Sequence, residues 1–342
     1  MMTDTVLVTG ATGFIAKHCI AELLRKGFKV RGTARNPERT SENVRRAVTH
    51  AEVDASHVEI VAADLTSDEG WDAAADGCRF VLHVASPFPI TQPKTRDELI
   101  RPARDGALRA LNAAARAGVE RVVMTSSTVA VMYTGTRSRG HVYTETDWTD
   151  TNRTDITPYI ASKTVAEQAA WDWAERTPNA PELVVINPGF VQGPTLDPDL
   201  STSLEVLRLM GKGAYPAAPR VEFPVVDVRD VAALHVSAMI HPRAAGERFI
   251  ASEGSATLMG IGKKIAAALP DLKGKVPKFE MPDTMVRTIA IFDKRLRTVL
   301  PELGVVRHCD NRKAREVLGH TFRAPDEAIT AAAKSLRRLH VI

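Results

Sequence analysis

The run Val6-Leu7-Val8-Thr9-Gly10-Ala11-Thr12-Gly13-Phe14-Ile15-Ala16 constrains this chain more than any other stretch of it. An apolar segment of strand character ends at Thr9, a glycine turn follows at once, and a helical pattern opens behind it. That succession predicts a strand, a tight turn and a helix start, the entry to a parallel α/β sheet. Gly10 supplies the backbone angles of the turn, Gly13 keeps a Cβ out of the way of a pyrophosphate, and Ala16 lets helix pack close to strand. The helix N-terminus offers free N–H groups and the positive end of a dipole to phosphate. Gly10, Thr12, Gly13, Phe14 and Ile15 are therefore expected to hold a dinucleotide.

The alternation continues down the first half. Short runs rich in Val and Ile predict strands at 5–9, 28–33, 58–62, 80–85, 119–125 and 183–186, buried on both faces. Between the first two, Ile15, Cys19, Ile20, Leu23 and Leu24 fall at three- and four-residue spacing and are closed by Gly27, which predicts a helix and its stop. From about Phe190 the alternation is lost, Pro and Gly become frequent, and helical patterns dominate. The expected fold is α/β: a Rossmann doubly wound parallel sheet with a smaller, mostly helical C-terminal substrate lobe. Residues 1–188 form the dinucleotide-binding domain on this reading, with 221–245 returning to it, and 189–220 with 246–342 form the substrate-binding lobe.

Beyond the second strand the chain reads Val30-Arg31-Gly32-Thr33-Ala34-Arg35-Asn36-Pro37. An acidic residue here would bond a ribose 2′-OH, whereas an arginine accommodates a 2′-phosphate. There is no carboxylate, and Arg35 stands just past the strand. The electrostatics favour NADPH over NADH.

A second cluster, Thr157-Pro158-Tyr159-Ile160-Ala161-Ser162-Lys163, opens an Ala-rich helical segment with Pro at a first-turn position. Spacing of four residues puts Tyr159 and Lys163 on one face. A lysine ammonium beside a tyrosine favours the phenolate and lowers its pKa, which suits Tyr159 to pass a proton to a developing alkoxide. The hydroxyls of Thr125-Ser126-Ser127 gather at the C-terminal end of a strand, where ligand sites of open α/β sheets lie. A serine there would hold a carbonyl oxygen against the tyrosine. Ser126 and Ser127 both compete for that role.

Composition excludes several classes of function. The 342 residues are 44% hydrophobic and 25% charged, ample for a large core. The net charge is only +4, and the basic stretches 307–315 and 334–338 read as solvated helix faces, so no nucleic-acid partner is expected. Cys19, Cys78 and Cys309 are odd in number and far apart, which supports neither a disulfide framework nor a thiolate cluster; no acidic or histidine group has metal-ligand spacing. No apolar run approaches the roughly 18 residues of a membrane span, and no basic run and apolar core of a signal peptide opens the chain. A cytoplasmic monomer or homodimer acting on a small-molecule carbonyl compound is expected. His83, on a buried-type strand, reads as a satisfied core histidine.

Residues 9–16, Asp64-Leu65, His83-Val84-Ala85-Ser86-Pro87, Thr125-Ser126-Ser127, Tyr159 to Lys163 and Asp227-Val228-Arg229-Asp230-Val231-Ala232 together resemble the extended short-chain dehydrogenase/reductase superfamily, and within it the dihydroflavonol-reductase-like group of aldehyde and ketone reductases. The resemblance implies that Asp64 and Leu65 lie near the adenine, that Val84 and Ala85 line the nicotinamide ribose and diphosphate side, and that Pro188, Gly189 and Val191 shape the nicotinamide pocket. It further implies Tyr159 as proton donor, Lys163 as ribose ligand and tuner of Tyr159, and Ser127, the last of its run, as the carbonyl-orienting serine. Departures narrow the substrate. Met132 stands where plant dihydroflavonol reductases carry a flavonoid-reading asparagine. Pro158, Ala161 and Ser162 replace the Trp before the tyrosine and the Cys and Gly before the lysine of cinnamoyl-CoA reductases, which argues against a CoA thioester.

The leading expectation is thus NADPH-dependent reduction of an aldehyde or ketone, with Phe88, Met132, Phe190, Met210 and Tyr215 as candidate substrate contacts. An NAD-dependent epimerase, dehydratase or hydroxysteroid-type dehydrogenase is the alternative, opposed by Arg35. A non-catalytic dinucleotide sensor would be expected to lack the Tyr159–Lys163 pair.

Overall fold

Strands apolar on both faces need a layer of helices on each side. The computed structural model describes residues 4–87, 95–135, 140–292 and 299–342. Its main sheet has seven strands: β1 (Thr5–Val8), β2 (Lys29–Ala34), β3 (Val58–Ala62), β4 (Cys78–His83), β5 (Arg121–Thr125), β6 (Glu182–Pro188) and β7 (Arg248–Ala251). They lie in the order β7-β6-β5-β4-β1-β2-β3, every pair parallel. The order reverses beside β1, which pairs Val6 with Val30 on one side and with Phe80 on the other. Such a reversal opens a crevice at the C-terminal ends of the strands.

Helices α1 (Phe14–Arg25), α2 (Pro37–Thr49), α3 (Trp71–Ala75), α4 (Asp97–Arg116) and α5 (Pro158–Arg176) alternate with these strands. Then come α6 (Thr202–Gly211), α7 (Val228–Ile240), α8 (Leu258–Ala268), α9 (Asp283–Ala290), α10 (Arg312–Leu318) and α11 (Pro325–Arg338). The pleat divides the apolar runs between two cores. Val6, Val8, Phe80, Leu82, Val123, Val184 and Ile186 face the layer of α1, α2 and α7; Leu7, Val81, Val122, Met124, Leu183 and Val185 face α3, α4 and α5. Runs that read as continuous in sequence are therefore alternating in space, with both sides dry.

Two segments lie elsewhere than the sequence suggests. The strand at 248–251 completes the main sheet beside β6, although it sits in the stretch read as substrate lobe. Four residues at a sheet edge leave too short a pattern to read. Conversely, Glu222–Asp227 does not join the main sheet: it pairs parallel with Phe190–Gln192 and antiparallel with Ser255–Thr257 in a separate three-stranded sheet, while the following α7 packs back onto α1. With α6, α8 and α11, that sheet makes the C-terminal lobe's core.

The connection out of Phe190–Gln192 is pinned to the first lobe. Lys17 of α1, buried at 2% exposure, reaches Asp197 at 2.5 Å. His18 Nε2 donates to the Pro194 carbonyl at 2.8 Å, and His50 Nδ1 donates to the Leu196 carbonyl at 2.7 Å.

Candidate active site

The turn after β1 is built as its residues dictate. Gly10 takes a left-handed φ of +67°, and a Cβ on it would stand 3.0 Å from that of Ala85. Its N–H donates to Thr33 Oγ1 at 3.0 Å, and Ala11 N–H to the Thr33 carbonyl at 2.8 Å, so the turn is stitched to the end of β2. Thr9 Oγ1 accepts from Ala85 N–H at 2.9 Å and bonds His83 Nδ1 at 3.0 Å, which ties the same turn to the end of β4. Gly13 precedes α1 in extended conformation with no side-chain cap on the helix, and a Cβ there would press on the Gly10 carbonyl at 3.2 Å. An uncapped helix start behind a cradle that only glycine leaves open is the form of a phosphate site, and the residues present fit a dinucleotide pyrophosphate.

The structure brings Gly10, Thr12, Gly13, Val84 and Ala85 to one rim. Phe14 turns into the core, edge-on to His18, and Ile15 packs beside it, so these two offer backbone rather than side chain. Arg35 is exposed at the end of β2. It lies close enough to Asp64 to help hold that carboxyl below its ordinary range, although the Thr66 N–H on Asp64 does more. Leu65 packs on Gly106 of α4.

The catalytic cluster forms at the ends of β5 and β6. α5 begins with Thr157 accepting from Ile160 N–H at 3.3 Å and Pro158 in its first turn, which aims Tyr159 and Lys163 at the sheet edge. The hydroxyls of Tyr159 and Ser127 share a hydrogen bond. Ser127 Oγ also donates to the Pro188 carbonyl and accepts from Val129 N–H, each at 3.3 Å. Ser126 Oγ is buried without a partner among the described residues. Geometry therefore pairs Ser127, not Ser126, with the tyrosine. Lys163 is buried, and its Nζ donates to the Thr125 carbonyl at 3.5 Å.

Burial pushes the Tyr159 phenol up, and the Ser127 hydrogen bond pulls it back. Lys163 is itself perturbed: burial pushes it down to about 8, against the pull of Glu167. His83 is the satisfied core histidine its strand position suggests, held neutral by burial at a pKa of about 4. His235 of α7 is likewise neutral. Its Nδ1–H donates to the Val231 carbonyl, so Nε2 accepts from the Thr125 hydroxyl, each at 2.7 Å.

Pro188 is buried at the end of β6, Val191 is nearly so, and Gly189 runs so close to Pro224 that a Cβ would stand 2.4 Å from its carbonyl oxygen. Of the candidate substrate contacts, Phe190 is half-buried and stacked on Phe223, ring centres 4.8 Å apart, and Tyr215 is half-buried. Met132 packs beneath α5 with Ile160 and Ala161, and Met210 is fully buried in the core, so both are packing positions. Phe88 lies outside the described residues. Sequence reasoning assigned nothing to Glu167, Asn187 or Arg248, which stand directly behind the cluster. Among the described residues no group of acidic, histidine or cysteine side chains is arranged to hold a metal.

Residues 6–251 match the model of the NAD dependent epimerase/dehydratase family. The chain belongs to this family. Among epimerase/dehydratase family relatives, it is 34% identical to ketoreductase azaE of Aspergillus niger over 355 residues, 98% of each chain. It is 39% identical to cinnamoyl-CoA reductase 1 of Arabidopsis thaliana over 250 residues, 72% of this chain and 70% of that one. The yeast methylglyoxal/isovaleraldehyde reductase Gre2, solved with NADPH, superposes with a TM-score of 0.79 at 28% identity, covering 99% of this chain and all of the other. These likenesses place the chain in the dihydroflavonol-reductase-like reductase group of the family.

Proposed function

We propose that this protein reduces an aldehyde or ketone to an alcohol with NADPH as hydride donor. The observation that carries the reading is the hydrogen-bonded Ser127–Tyr159 pair at the strand ends, one turn from a buried lysine and on the same sheet edge as the glycine cradle. The nicotinamide, when bound, supplies the hydride. Tyr159 and Ser127 converge on one carbonyl oxygen, Ser127 holding it and Tyr159 delivering the proton as negative charge develops there. Lys163 would bond the nicotinamide ribose and keep a positive charge near the phenol. Gly10, Thr12, Gly13 and the backbone at Phe14 and Ile15 would hold the pyrophosphate, with Val84, Ala85, Pro188 and Val191 along the nicotinamide side. Arg35 would take the 2′-phosphate, with Asp64 and Leu65 toward the adenine.

The named activities of azaE and Gre2 support a carbonyl substrate and NADPH. Cinnamoyl-CoA reductase names a thioester substrate, which Pro158, Ala161 and Ser162 do not favour here. Arg35 opposes the NAD-dependent epimerase reading, and retention of Tyr159 and Lys163 opposes a non-catalytic sensor. Phe190 and Tyr215 remain as proposed substrate contacts. NADPH oxidation followed by absorbance over aliphatic, aromatic and α-keto carbonyls, with NADH and a nucleotide sugar as controls, tests the reading. Turnover by the parent and its loss in a folded, NADPH-binding Tyr159→Phe variant is expected; an undiminished rate in that variant would refute the mechanism.

A further inference from the structure

Behind the lysine sits a carboxylate closed off from solvent. Glu167, one helical turn beyond Lys163 on α5, is fully buried. Its Oε1 accepts from Arg248 Nε at 2.6 Å and Trp171 Nε1 at 3.4 Å, and its Oε2 from Asn187 Nδ2 at 2.8 Å. The same Asn187 amide donates to the Ser127 carbonyl at 3.2 Å. Arg248 is held in turn by the carbonyls of Glu145 and Asp147 and by the Trp148 ring, 3.7 Å below it. We infer that Glu167 is a positioning residue: it keeps Lys163 in the ammonium form and, through Asn187, fixes the backbone that carries Ser127. The inference rests on the reductase reading above.

The groups around Lys163 make the carboxylate indispensable to that charge. Lys163 meets neutral His83 of β4, the Thr125 carbonyl of β5 and the charge of Glu167, and Glu167 in turn holds neutral Asn187 of β6 and the cation Arg248 of β7. α4, packed along α5, buries only uncharged residues, and His235 on α7 is neutral. On α5 itself stand the Tyr159 phenol, un-ionised at neutral pH, and Glu167. Glu145 lies beyond Arg248, where burial pushes its pKa up. Glu167 is thus the carboxylate that stands one helical turn from Lys163 and at the same time holds Arg248. Without its charge, both buried cations lose a counter-ion, and the lysine is the one that can lose its proton.

The Lys163 titration is read directly by NMR of protein labelled with [ε-13C]lysine, the resonance identified by its loss in Lys163→Arg. Glu167→Gln is expected to lower that pKa by roughly 1 unit or more, and the alkaline limb of kcat/KM should move down with it. Glu167→Asp, which keeps the charge, should restore most of the shift. Arg248→Gln, which removes the competing cation from the carboxylate, should raise the pKa, so the test survives a Glu167→Gln variant that does not fold. A Lys163 titration unchanged in the folded variants, or moved the same way by both neutralising changes, overturns the inference. The NMR readout needs no substrate, so failure of the reductase reading would show separately, as absent turnover with the shifts intact.

Discussion

Replacing Arg35 by alanine should separate the two nicotinamide dinucleotides. The guanidinium is exposed at the end of β2, beside a turn pinned by Thr33, so its removal disturbs no packing. A hydrogen bond to a charged group contributes about 1.5–3 kcal/mol. Solvent at an exposed site favours the lower part of that range, and nearby Asp64 already offsets some of the charge. A loss of about 1.5–2 kcal/mol follows, which is roughly 10- to 30-fold in Kd for NADPH. NADH lacks the 2′-phosphate and should bind the variant almost as it binds the parent. Calorimetric or fluorescence titration of both nucleotides, at low salt and again near 1 M, measures this; the preference of the parent for NADPH should shrink as the Debye length falls to about 3 Å. Equal weakening of both nucleotides, or an unchanged NADPH affinity, would refute the assignment.

Three further outcomes follow from the geometry. Ser127→Ala should lower kcat by about 100-fold, the cost of one oxyanion donor, while Ser126→Ala stays near the parental rate; the reverse ranking would reassign the serine. Gly32→Ala should destabilise the fold by about 1–3 kcal/mol, because its Cβ would stand 2.6 Å from that of Ala11 and 2.8 Å from Ile60 Cδ1; an unaltered melting midpoint would contradict it. His18, His83 and His235 are each held neutral by burial, their pKa values lowered from 6.5 to about 4. The unfolded chain binds more protons between those values, so stability should be complete above about pH 6.5 and fall as pH drops toward 4. Denaturant titrations across that window check the sign.

The nucleotide edge was legible because its signals are local. An apolar run, Gly10, Gly13 and Ala16 lie within eleven residues, and β1, its turn and α1 form from them. Tyr159 and Lys163 were legible because helical spacing alone puts them on one face. Glu167 was not, since its charge is answered by Arg248, 81 residues on and on a strand of only four residues. Asn187 carries no pattern of its own, and its role follows only from β6 lying beside β5. Met210 looked like a ligand contact because an apolar residue in an irregular stretch fits either a pocket or a core, and only packing decides. The division of the second half was blurred for a related reason: Glu222–Asp227 has the composition of a central strand, but its partners lie 31 to 35 residues away on both sides.

The pinned connection at residues 194–197 bears on how the two lobes can move. Lys17 at 2% exposure cannot leave Asp197 without stranding a charge in an apolar interior, a penalty of several kcal/mol. Two histidines on the first lobe hold the neighbouring carbonyls. That corner behaves as a rivet driven through the opening turns of α1, close behind the helix start that forms the phosphate cradle. Parting the two lobes at this corner would therefore have to break an ion pair and two hydrogen bonds together, so the cradle and the start of the C-terminal lobe keep their relative placement.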